Sequence, residues 1–173
     1  MTNASDANAM QAAGVCDILS DDDLALLRGY YDPSQMIAAA TKATVGAYPD
    51  AGGLIDFLNR NFFDTASPWQ PDLREGALIT LLSVHTHGEG LLLVVHYYWG
   101  LMAGLTVNQI CQLLLLTGIY TGLPNFTEGV NTLKTMLIVL KQEIDKDDPA
   151  RLNSLSLVAT FSKVFSPTVP IGR

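Results

Sequence analysis

Charge is scarce in this chain: only 16% of its 173 residues are Asp, Glu, Lys or Arg, against about a quarter in an average globular protein. With 49% of the residues hydrophobic, little is left to cover the surface of a monomer. Apolar faces then need a partner copy, because obligate interfaces resemble a domain core cut in half. An oligomer is expected. Basic clusters are missing too, since ten Lys and Arg stand against seventeen acids for a net charge of -7. Without grouped cations to displace counterions from phosphates, nucleic acid is excluded as a partner. Cysteine is limited to Cys16 and Cys111, too far apart to read as a disulfide framework, a zinc site or a Cys-x-x-Cys redox pair. Cys111, in an apolar helix, reads as a small hydrophobe, and Cys16 has no obvious partner.

Long hydrophobic runs are absent. The strongest, Leu91 to Met102, contains His96, Tyr97 and Tyr98 and falls short of the roughly twenty apolar residues that a bilayer crossing needs. Met1 to Ala13 is polar and alanine-rich, unlike a signal peptide. The expectation is a soluble cytoplasmic protein without membrane contacts.

Strand-like alternation is also lacking, so the chain reads as all-α. Residues 1–19 are expected to form a mobile or loosely helical extension, and residues 20–173 a single helical domain. Ser20 before Asp21, Asp22 and Asp23 marks a helix start that runs to about Tyr30. Asp32-Pro33 opens a second helix through about Val45, and a third falls within Gly53 to Phe62. A loop with Pro68 and Pro71 leads to a helix over Leu73 to Val84. Gly88 and Gly90 mark a break before the His96 helix, which ends at Gly104. Thr106 and Gln109 form a capping box for the next helix, which stops before Gly122. Pro124 begins a long helix through about Glu143, and Asp148-Pro149 opens a last one to about Val164. The tail, Ser166 to Arg173, reads as extended.

Chemistry-bearing residues are few. His96 stands among leucines and aromatics, where an imidazole can be kept dry and at an unusual pKa. Glu89 lies seven residues earlier, which returns nearly to the same azimuth of a helix two turns away. Glu89 could orient His96, or hold one end of a substrate while His96 moves a proton. The plainer alternative is a buried histidine satisfied by one hydrogen bond, with Glu89 as a helix-start acid. His85 and His87 are two apart and do not share a helix face, so no metal is expected. Arg74 is the candidate to meet an anionic substrate, although a solvated helix start also explains it. Tyr97, Tyr98 and Trp99 point in three directions around one helix, so at least one should face a subunit interface or a pocket wall.

His96, Gly104, Leu105, Thr106, Ile110 and the Tyr120-x-Gly122-x-Pro124 element follow one another at a spacing that resembles the carboxymuconolactone decarboxylase family, which includes the alkyl hydroperoxidase D peroxidases. Thr80 also falls where that family often has threonine. The resemblance covers about residues 70–145. It implies an all-α helical bundle of the alkyl hydroperoxidase D type, assembled as a homotrimer or homohexamer. The departures are specific. Where the peroxidases carry two cysteines, this chain has Glu89 and Leu92, which removes the thiol chemistry from that position. Leu92 also stands in place of a decarboxylase glutamate, Ala77 in place of the peroxidases' relay glutamate, and Gly76 and Tyr98 in place of arginines. The resemblance implies an acid/base enzyme with no cofactor acting on a small carboxylated or lactone substrate. His96 and Glu89 would be catalytic, and Arg74 and Tyr98 would bind substrate. A protonated imidazole in a dry pocket could stabilise the charge left by departing carbon dioxide. The alternative is a non-catalytic oligomer that keeps only the fold. A thiol peroxidase is a remoter alternative, since the cysteine pair is absent.

Overall fold

The computed structural model describes residues 14–36, 38, 39, 42 and 90–165. Helix accounts for 79% of these, with no strand among them, so the described part is all-α. The expected helices within Gly53 to Phe62 and over Leu73 to Val84, the proline loop, the Gly88 break and the extended tail lie outside the described residues.

Helix starts are written locally. α1 spans Asp21–Gly29, and Ser20 accepts from the Asp23 amide while the Asp23 carboxylate accepts from the Ser20 amide. Two otherwise orphaned donors are thereby satisfied. Asp32 then accepts from the Ser34 and Gln35 amides ahead of helical residues 33–36, 38, 39 and 42. α2 spans Gly90–Met102, α3 Val107–Thr121 and α4 Leu123–Ile144. Thr106 and Gln109 form the reciprocal cap of α3.

Two glycines make the corners. Gly104, at φ +104, ends α2 with the Leu105 amide donating to Gly100 and the Gly104 amide to Leu101. This six-to-one and five-to-two pairing closes a helix through a left-handed residue. Gly122, at φ 94 and ψ 160, separates α3 from α4 in a conformation that side chains strain against.

The last helix differs from expectation. Asp148-Pro149 opens only a 3-10 turn, Pro149–Arg151, and α5 is a separate helix, Ser154–Phe165. Leu152 is buried at the break, and Asn153 accepts from the Ser156 amide to start α5 anew. A buried leucine and a fresh cap together turn the chain where one continuous helix was expected. The packed part also begins earlier than Ser20, because Val15 and Leu19 lie in the core.

α2 is the centre. Its residues from Leu91 to Met102 are buried apart from Leu92, which is only partly exposed, as befits a helix that is apolar on every face. It packs on α5 and α4, with α1 and α3 completing its surroundings. Tyr97 donates to the Gly129 carbonyl of α4, at 3.2 Å. Arg28 of α1 donates to the carbonyls of Leu101 and Leu105, at 3.0 and 3.4 Å, placing a cation at the negative end of α2. Lys141 of α4 pairs with Asp23 of α1 at 3.1 Å. α3 also packs against α4, where Gly118 lets the Phe126 side chain approach. None of the described helices is long and apolar enough to cross a membrane.

Candidate functional site

His96 sits midway along α2, 9% exposed. Its Nδ1 lies 2.7 Å from the carbonyl oxygen of Leu92, one turn earlier. A carbonyl only accepts, so Nδ1 carries the proton and donates, which leaves Nε2 as the acceptor nitrogen of a neutral ring. Desolvation is the main influence on its pKa and pushes it below the ordinary histidine value, while the Leu92 hydrogen bond opposes the shift in part. A charged imidazolium would lose its hydration here without a carboxylate among the described residues to replace it. The Trp99 ring lies beside it, with centroids 6.1 Å apart. What this arrangement can do chemically is limited to accepting a proton at Nε2.

Of the other proposed site residues, Tyr98 alone lies among the described ones. Arg74 and Glu89 lie outside the described residues, as do His85, His87, Ala77 and Thr80. Tyr98 is placed in the core. Its ring is fully buried, edge-on to Tyr31 and to Phe161 at 6.1 and 5.7 Å. Its hydroxyl faces Ser154 without closing a hydrogen bond of ordinary geometry, and the Ser154 hydroxyl is already engaged by the Asp32 backbone. Burial raises the Tyr98 pKa to about 12. Tyr97 and Trp99 are buried as well, and Tyr97 is further tied to the Gly129 carbonyl.

The groove on the described surface lies elsewhere. An open hollow of about 670 Å³ runs along the first half of α4 and ends at Phe165. Glu128 is the one charged side chain among its lining residues, beside Asn131 and three threonines. Thr127 and Thr135 donate their hydroxyls to carbonyls of their own helix. A carboxylated ligand needs a cation, and this groove offers an anion. Neither an acid/base pair nor a nucleophile lines it. Among the described residues no group of three His, Cys, Asp or Glu side chains could hold a metal ion.

Sequence reasoning missed two features. Leu123 joins the groove to an exposed apolar corner with Ile119 and Tyr120, which are 73%, 72% and 83% exposed respectively. Tyr120 and Pro124 belong to the family-like element; Tyr120 is an exposed residue of α3 and Pro124 stands in the first turn of α4. Cys16, which shows no partner along the chain, lies near Cys111, whose thiol pKa is pushed up to about 12 by burial and then by Cys16. Nothing in the linear spacing of these cysteines signals that proximity. No protein-family model, curated protein or solved structure matches this chain.

Proposed function

We propose that this chain is a non-catalytic, self-associating module, a cytoplasmic relative of the carboxymuconolactone decarboxylases that keeps a helical bundle and has lost the reaction. The observation that carries this reading is the corner between α3 and α4. Ile119, Tyr120 and Leu123 stand exposed there, within a run from Gly90 to Thr127 that contains no Asp, Glu, Lys or Arg. An apolar cluster of this kind favours burial against another surface. Two copies of an acidic chain repel each other least where neither presents charge, so a second copy suits the corner. Homotrimer or homohexamer is the assembly that the family resemblance implies. The motif residues agree with a scaffold: Gly104 and Gly122 turn the chain, Thr106 caps a helix, and neither role needs a substrate. His96, held by Leu92 in a packed helix, fits the same account as a satisfied core residue.

The test is the mass in solution. Light scattering on the wild-type chain at micromolar concentration should give a multiple of the 18.7 kDa protomer, and the double substitution I119K/Y120K should return it to one. A wild-type chain that runs as a monomer would sink the proposal.

A second reading has one observation in its favour. With Nδ1 anchored on Leu92, Nε2 of a neutral imidazole is competent to take a proton. On that reading the chain is a cofactor-free acid/base enzyme for a small carboxylated or lactone substrate, with Glu89 beside His96 and Arg74 holding the anion. Turnover of carboxylated lactones or β-keto acids that disappears in His96→Ala would favour it. Equal rates in the two proteins remove His96 from any mechanism.

A further inference from the structure

We propose that residues 166–173 of this same chain dock into the groove along α4, with Ile171 against Leu123 and Pro124 and Arg173 paired with Glu128. Place and length both allow it. Phe165, which closes α5, is itself a lining residue of the groove, so the segment leaves α5 from the groove wall. Its eight residues reach at most about 26 Å when extended. The groove from Leu123 to Thr135 covers about 18 Å of helix axis. The tether therefore spans the whole groove.

Charge selects the pairing. Glu128 is the one charged side chain of the groove, stands exposed, and makes no ion pair among the described residues. Residues 166–173, Ser-Pro-Thr-Val-Pro-Ile-Gly-Arg, carry one charge, of the opposite sign. Spacing agrees as well. Two extended residues advance about 7 Å and four helical ones about 6 Å, so Ile171 laid against Pro124 brings Arg173 level with Glu128. Thr127 and Thr135 donate their hydroxyl protons to carbonyls of α4, and their oxygens remain as acceptors for the amides of an extended segment. Pro167 and Pro170 disfavour helical backbone at Ser166 and Val169, which lowers the ordering cost of docking. An open groove with one exposed carboxylate holds a separate peptide weakly. A short covalent tether changes the balance by supplying an effective concentration in the millimolar range. This favours the chain's own segment as occupant and closes the groove to other cationic or apolar segments.

Amide hydrogen exchange on the full chain tests the proposal, with a synthetic peptide of residues 166–173 as the free reference. Exchange at Thr168, Val169, Ile171 and Gly172 should be roughly tenfold slower in the protein than in the peptide. Glu128→Lys should abolish most of that slowing, and Glu128→Lys combined with Arg173→Glu should restore it. A general loss of structure cannot produce such a rescue. A zero-length carbodiimide crosslink checks the contact directly: in Arg173→Lys, the amine at position 173 should couple to Glu128 within one chain. Peptide-like exchange in the wild-type chain would overturn the proposal, as would slowing that Glu128→Lys leaves intact. A crosslink joining two chains would overturn it too, by giving the groove to the tail of a second copy.

Discussion

The central helix α2 and the corner where α3 meets α4 come from the same uncharged run of sequence, yet they end in opposite places. α2 is enclosed by four other helices, and even its histidine is stripped of water. The corner holds side chains just as apolar, and they stand in solvent. Composition alone would assign both to a core. Surroundings separate them: α2 has neighbours on every side, whereas α3 buries one face through Val107, Ile110, Cys111, Leu114 and Thr117. An apolar side chain on a helix's unpartnered face is a request for another molecule, and on an enclosed helix it is part of the fold.

The largest effect that would sharpen this contrast is a deletion in α2. Leu101→Ala, at a fully buried position, should cost about 2–5 kcal/mol in denaturant unfolding. Ile119→Ala at the corner should change the unfolding free energy of the separated protomer by less than about 0.5 kcal/mol while weakening assembly. A similar loss at both positions would mean that the corner is already covered within one chain.

Next in size is the α3–α4 junction. A methyl group on Gly118 would lie 2.7 Å from the Cβ of Phe126, so Gly118→Ala should destabilise by about 1–3 kcal/mol through overpacking, despite the better helix propensity of alanine. Thermal melts of Gly118→Ala, Phe126→Gly and the double variant check it: glycine removes the clashing Cβ, so Gly118→Ala should cost less beside Phe126→Gly than in the wild-type chain.

Smaller still is the difference between two adjacent tyrosines. Tyr97→Phe removes a hydrogen bond to Gly129 and should cost about 1 kcal/mol. Tyr98→Phe removes a buried hydroxyl without a hydrogen-bond partner and should be neutral or stabilising by up to about 1 kcal/mol. The urea midpoint should therefore fall for Tyr97→Phe and hold or rise for Tyr98→Phe.

The pH response is the finest probe. Burial depresses the folded-state pKa of His96, so the unfolded chain takes up the proton first as pH falls. The associated stability is complete above the ordinary value of about 6.5 and is lost as pH drops below it. Glu143 behaves differently. Arg151 and then Lys146 hold its carboxylate ionised below the usual range, so its stability is present above about 4.3 and is lost only in stronger acid. His96→Leu should therefore flatten the stability profile just below pH 6.5 and leave the acid limb in place. An unchanged profile would mean that His96 is hydrated in solution.

Much of the fold was legible because helix ends are local events. The boxes Ser20–Asp23 and Thr106–Gln109, and the stops at Gly104 and Gly122, depend on residues within one turn of each other. Asp148-Pro149 misled because its continuation turned on Leu152 seeking the core, which no local pattern reports. The candidate site was harder to read. His96 could be singled out from its odd neighbours, but whether it met a ligand depended on what packed around it. Tyr98 looked equally available for a pocket wall until Tyr31 and Phe161 closed over it.

By itself the amino-acid order determined where helices begin and end, since backbone amides and carbonyls there are satisfied by side chains a few positions away. Only the tertiary structure decided that Arg28 would finish α2, that Cys16 would lie near Cys111, and that Ile119 and Tyr120 would be left outside. Those outcomes depend on how helices far apart in the chain are arranged in space, and hydrogen-bonding rules that reach only one turn along the backbone carry no such information.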